Sequence, residues 1–357
     1  MAGRAIASIM PGTMKLSVLD QSIAIAGRDE DAAIRDTLDL APFCEALGYQ
    51  RFWLSEHHSL PTIVGTAPEI LLAAIAARTR RIRIGSAGVM LPHYSALKVA
   101  EQFRVLEALA PGRVDLGVGR APGADMNTAL LLNPNAYGAA ARFPEQVRDL
   151  QAWTTGAKHR GVIAHPRGAE APEIWILGSS NYGAQLAAHF GLPYAYAYFF
   201  ADGEGTEEAM HLYHSLYRPS ARHPSPQATL CVWALAADDE AMARHHALSR
   251  DRWRVDRLRG TLGPLQSPDV IAARGFTPDE MPTVEATQRK AFVGTAAQVA
   301  AKLRELAGAF GLDELVINTW THDPGVRRHS YELLAREFEL PASDATPSAK
   351  ATHAAVD

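Results

Sequence analysis

Phe52-Trp53-Leu54-Ser55-Glu56-His57-His58 changes character partway along. Its first half is aromatic and branched, as a buried strand requires; its second half ends in one carboxylate and two adjacent imidazoles. In a chain that alternates strands with helices, such a break marks the carboxyl end of a strand, where ligands and chemistry collect. Two later stretches break in the same way. Ile82-Arg83-Ile84-Gly85 runs into Ser86-Ala87-Gly88-Val89, and Val114-Asp115-Leu116-Gly117-Val118 runs into Gly119-Arg120-Ala121-Pro122-Gly123. These three tips read as one site.

Outward from that stretch the alternation continues. Strands are expected at 15–19, 174–177, 194–197, 229–236 and 314–317, with amphipathic helices between them. Units about 30 residues long imply a parallel sheet. Periodicity allows an open doubly wound sheet or a closed ring, and a count of eight strands favours the α/β class as a TIM (β/α)8 barrel with insertions at the C-terminal mouth. The expected insertions are a loop over 119–140, a polar excursion or hairpin over 155–172 and an irregular stretch over 260–291. Residues 1–13 read as a flexible leader, 14–339 as the barrel and 340–357, rich in Ala, Ser and Thr, as a disordered tail.

Composition narrows the function. The chain has 357 residues, 47% hydrophobic and 21% charged, enough to fill a barrel of about 250 residues and its helical jacket. A net charge of -4 gives no basic face for nucleic acid. Cys44 and Cys231 are too few for a disulfide framework or a zinc cluster. No apolar run is long enough to span a membrane, and the first residues lack the apolar core of a secretory signal, so a cytoplasmic protein is expected.

Each tip has a functional and a plainer reading. Within Glu56-His57-His58, one imidazole aimed into the mouth would hold or move a proton. The alternatives are buried histidines that tie a strand to a loop, or a metal site, for which the other tips offer few further ligands. Ala87 and Gly88 would let a flat ring approach the backbone, or simply let a helix pack closely. Arg120 would receive a phosphate or carboxylate, or pair with a loop acid. Gly178-Ser179-Ser180 opens a helix, as an anion cradle or a plain N-cap. No complete dinucleotide fingerprint and no nucleophile elbow are present.

Taken together, Trp53 to His58, Ile84 to Pro92, Ala100-Glu101-Gln102, Pro111 to Gly123, Leu177 to Ser180 and Phe292 to Thr295 resemble the bacterial luciferase-like flavin-dependent monooxygenases, over roughly 14–339. The single-chain, Ser-Ser-bearing branch is the more similar. The resemblance implies a TIM barrel with reduced FMN at its C-terminal mouth. It also implies O2 as co-substrate, a separate NAD(P)H:flavin reductase and a homodimer. It makes His57 the active-site histidine and Ala87-Gly88 the bend behind the flavin ring, where the family often has a non-proline cis peptide. It puts Glu101 and Arg120 near the flavin, Gly178, Ser179 and Ser180 around the phosphate and Tyr198 as a stacked aromatic. No metal is implied. Gly119 and Ser179 stand where luciferases carry cysteine and glutamate, which argues against light emission. Trp53, Met90, Phe199 and Phe200 suggest a small, largely apolar organic substrate. Three other readings remain: a deazaflavin-dependent oxidoreductase, a non-catalytic flavin-binding protein and a metal-dependent hydrolase.

Overall fold

The computed structural model describes residues 14–200 and 202–342. The expected leader over 1–13 and nearly all of the expected tail lie outside the described residues. Nine parallel strands form the sheet: β1 (Lys15–Asp20), β2 (Arg51–Leu54), β3 (Arg83–Met90), β4 (Val114–Gly119), β5 (Glu173–Gly178), β6 (Tyr194–Tyr196), β7 (Ala228–Ala237), β8 (Phe292–Thr295) and β9 (Glu314–Asn318). Eight of them close a ring, β1 to β7 in order and then β9, which returns to β1. The expected α/β TIM barrel is the fold found.

The ninth strand was not expected. Phe292–Thr295 is β8, paired with Ala234–Ala237 at the far end of β7. β7 runs past the ring there, and the β-formers Phe292 and Val293 satisfy its otherwise open edge. Thr295 then caps the helix Ala296–Phe310 in a reciprocal box with Gln298.

Three stretches expected to be irregular gain some order. The 119–140 loop contains the helix Met126–Leu132, capped by Asp125. The 155–172 excursion closes a tight turn by pairing His159 with Val162. The 260–291 stretch holds the helices Pro268–Arg274 and Met281–Arg289, and Leu265 pairs with Ile25 just beyond the C-terminal end of β1. That pairing puts the insertion beside the mouth.

The barrel interior is filled by Leu19, Trp53, Trp175, Ala195, Cys231 and Val316. A larger apolar layer joins the ring to its helices, with Leu16, Val18, Ile84 and Leu315 pointing outward from the strands. Below the interior plug, at the N-terminal end, lies a buried ionic layer. Arg51 donates to Asp115 at 2.9 Å, to Glu314 at 2.9 Å and to Glu173 at 3.2 Å. Arg83 also donates to Asp115, and Trp53 Nε1 donates to the same carboxylate at 2.8 Å. Burial acts to lower the pKa of Arg51, but the three carboxylates overcome it and raise it. Trp53, expected to line a pocket, is thus a fully buried plug.

Candidate active site

At the other end of the ring, β2 breaks into Ser55-Glu56-His57-His58. Glu56 is buried, and its oxygens are committed to three donors. Oε1 accepts from the Tyr94 hydroxyl at 2.6 Å and from His58 Nε2 at 2.7 Å, and Oε2 accepts from the Met90 N–H at 2.9 Å. His93 extends this network by donating to the Pro122 carbonyl at 2.6 Å. The carboxylate therefore locks the β2 tip to the end of β3, and His58 is part of the lock.

His57 is left outside it. Its backbone is fixed by N–H donation to the Gly65 carbonyl at 3.0 Å. Burial lowers the pKa of its ring, opposed by the Gly123 carbonyl and Glu56, while the guanidinium of Arg257 adds to the lowering. The imidazole is thus neutral at neutral pH and able to accept a proton. Because its folded pKa lies below the ordinary value, the unfolded chain takes up its proton first, and stability falls as pH drops from about 6.5 through the lower folded pKa.

β3 is longer than expected because Ser86–Met90 continues the strand through a register shift against β4. The Ala87–Gly88 peptide within it is cis, the backbone form that the resemblance implies. Glycine is required here by space. A Cβ at Gly88 would stand 2.7 Å from the Gly117 carbonyl oxygen, and one at Gly117 would collide with Ser86. Ala87 packs against the interior cluster, so β3 and β4 present a wall of small residues at the mouth.

β4 and β5 deliver the next group. The Arg120 guanidinium lies over the Tyr182 ring, 3.9 Å from its centroid, and has no carboxylate partner among the described residues. Tyr182 is in the first turn of the helix Asn181–Phe190, whose N-cap Ser180 makes no side-chain capping bond. Arg120, Ser179 and Ser180 are exposed and gather at the amino end of that helix, with Gly178 at the strand end beneath. Free backbone N–H groups, a helix dipole, hydroxyls and an unpaired guanidinium form a donor set suited to a phosphate.

Glu101 and Tyr198 are not joined to these groups by any hydrogen bond among the described residues. Glu101 sits on the helix Ala96–Leu109, at the spacing of the exposed Val105 and Leu109, and makes no hydrogen bond among the described residues. Tyr198 packs edge-on against Phe292 at 5.9 Å and fills the space above Gly203. Its neighbour Phe199 instead joins the barrel-interior cluster to the cluster at the mouth. Both residues lie in the short 3-10 turn Tyr198–Phe200, which directs neighbouring rings to different surroundings.

Sequence reasoning missed the helix Glu240–Arg259 as part of the site. Its C-terminal half lies across the mouth. Trp253 donates to the Thr62 hydroxyl at 3.1 Å and packs at right angles on Trp320, with centroids 4.7 Å apart. Trp320 and Asn318 both donate to the Gln21 side-chain oxygen. Arg254 holds the turn after β6 by donating to the Phe199 and Phe200 carbonyls. The signal was the spacing of Arg250, Arg254 and Arg257, which puts three cations on one helix face. A cavity of about 600 Å³ borders the mouth through His93 and Tyr94 and is lined further by Asn133, Arg142 and Gln146.

Comparison with known proteins bears on the family and the fold. The family model described as luciferase-like monooxygenase matches residues 14–313. A luciferase-like monooxygenase of Escherichia coli (strain K12) is 38% identical over 322 residues, 90% of this chain and 96% of that protein. The N-acetyl-S-alkylcysteine monooxygenase of Bacillus subtilis (strain 168) is 34% identical over 328 residues, 90% of this chain and 97% of that protein. The crystal structure of apo-MsnO8 superposes with a TM-score of 0.87 at 34% identity, covering 92% of this chain and all of that one. More distant barrels include an FMN complex at 18% identity and an F420-dependent dehydrogenase at 15%, and these show the fold alone. The chain belongs to the luciferase-like monooxygenase family.

Proposed function

We propose that this monooxygenase uses reduced FMN and O2 to oxidise a small organic substrate with a largely apolar body. The observation that carries the reading is the Arg120 guanidinium at the amino end of Asn181–Phe190, without a carboxylate partner among the described residues and beside the exposed Ser179 and Ser180. Reduced FMN, when bound, supplies the electrons that activate O2. Arg120, Gly178, Ser179 and Ser180 would hold its phosphate, and Ala87 and Gly88 would face its ring. His57 would hold or move a proton during oxygen transfer, and Phe199, Trp253 and Trp320 would keep water out. A separate NAD(P)H:flavin reductase would supply the reduced flavin in the cytoplasm. No helix among the described residues is long and apolar enough to cross a membrane.

The phosphate cradle is tested by comparing two ligands. Ser180→Ala should weaken FMN by about 1–2 kcal/mol and riboflavin by much less, because only FMN offers a charged acceptor. Equal losses by fluorescence titration would remove the cradle. Tighter binding of a deazaflavin than of FMN would favour the hydride-transfer alternative.

We also propose a homodimer. Ile70, Val105 and Leu109 are 68%, 49% and 56% exposed on two adjacent helices, Pro68–Arg78 and Ala96–Leu109. Gln102 donates to Glu69 across that helix pair. Apolar side chains so exposed on one face suit a second copy. Val105→Asp should convert a dimer to a folded monomer in sedimentation, with circular dichroism unchanged. A wild-type monomer would refute the proposal.

A further inference from the structure

The helix across the mouth carries more positive charge than its surroundings neutralise. Arg250 and Arg254 both donate to Asp202, at 2.9 and 2.8 Å. Asp251, the nearby acid on the same helix, is bound by Gln288 at 2.7 Å, and burial pushes its pKa up to about 6. Arg257 is the third cation of this face. It has no carboxylate and no hydrogen-bond acceptor among the described residues. Its guanidinium is half-buried, 4.4 Å from the centroid of Phe200 and 5.6 Å from that of Trp253.

A solvated surface arginine would extend into water. This one sits beside two aromatic rings at the mouth, and with His58 it adds to the lowering of the His57 pKa that burial dominates. The phosphate donors, Arg120 and Ser179-Ser180, sit on the β4 and β5 tips, so Arg257 is a separate cationic station. We propose that Arg257 receives a carboxylate carried by the organic substrate, whose apolar body lies against Phe200 and Trp253. This rests on the monooxygenase reading and narrows its substrate to a monoanionic acid with an apolar tail. A planar guanidinium fork matches a carboxylate in a bidentate pair, and the two neighbouring rings limit where it can go. An N-acetyl-S-alkylcysteine, the compound class named for the Bacillus subtilis relative, has this chemistry.

The test uses the full chain, with and without oxidised FMN, and N-acetyl-S-benzyl-L-cysteine as probe beside its methyl ester. Calorimetry should find the acid bound about tenfold or more tighter than the ester by the wild type. Arg257→Gln should bring the acid down to the ester's affinity and leave FMN affinity within about twofold, while Arg257→Lys should restore part of the preference. Equal binding of acid and ester by the wild type, binding of neither, or an unchanged preference in Arg257→Gln would overturn the assignment. Loss of FMN binding in Arg257→Gln would also overturn it, by giving the guanidinium to the cofactor. If FMN fails to bind the wild type while the acid preference persists, the flavin reading falls and the carboxylate site stands.

Discussion

His57→Ala should lower turnover by about 10²–10⁴-fold, the range for a lost acid or base, while FMN affinity stays within a few fold. The separation follows from the geometry. His57 stands on the β2 tip, whereas the proposed phosphate donors stand on the β4 and β5 tips, so losing the imidazole should leave the proposed cradle intact. The wild-type rate should fall as pH drops through the His57 pKa, which burial places below the ordinary imidazole value. That acid limb should be absent from the residual activity of His57→Ala. Turnover unchanged in the variant, or an acid limb that survives in it, would remove the proton role. His58→Ala should behave differently. It releases one of the three donors on Glu56, and the main loss should be in stability, seen as a lower denaturation midpoint.

Arg51→Met should destabilise the fold by about 3–5 kcal/mol, the usual consequence of removing one partner from a buried ion cluster. Arg51 is the cation that joins Glu314 on β9 to Asp115 on β4 and Glu173 on β5. Without it, Arg83 is left to face Asp115 and Glu173, and Glu314 keeps only the Ser17 hydroxyl at 2.5 Å. The orphaned carboxylates then bind protons more tightly in the folded state than in the unfolded one. The deficit should therefore be largest at neutral pH and shrink as pH falls towards 5. Urea midpoints measured across that range decide the matter. A loss under about 1 kcal/mol, or one that does not vary with pH, would mean the layer is not coupled as its geometry implies.

The barrel was legible because its strands are buried on both faces and read as short apolar runs broken by polar tips. His57, Arg120 and Ser179-Ser180 were legible for the same reason, since each follows such a run directly. The extension of β3 was not, because Ser86-Ala87-Gly88 has no hydrophobic period to follow. The ionic layer was also hidden. Charges at the first residues of β2, β3 and β9 resemble solvated strand starts, and only closure of the ring brings them together. Register then sets Arg51 beside Arg83 and Asp115 beside Glu173. Arg257 was hidden because a cation late in a polar helix looks like a solvent-facing one. Nothing local says that the helix lies across the strand tips.

The route of the chain after β7 bears on how such a site can change. It leaves β7 at Ala237, forms the helix that carries Trp253 and Arg257, and returns as β8 on the overhanging end of β7. Ring closure uses the earlier part of β7, against β6 and β9. The cover of the mouth is therefore a cassette anchored outside the closed wall. Exchanging it for one with different charges would change what the mouth presents, while the wall and the proposed phosphate donors keep their positions.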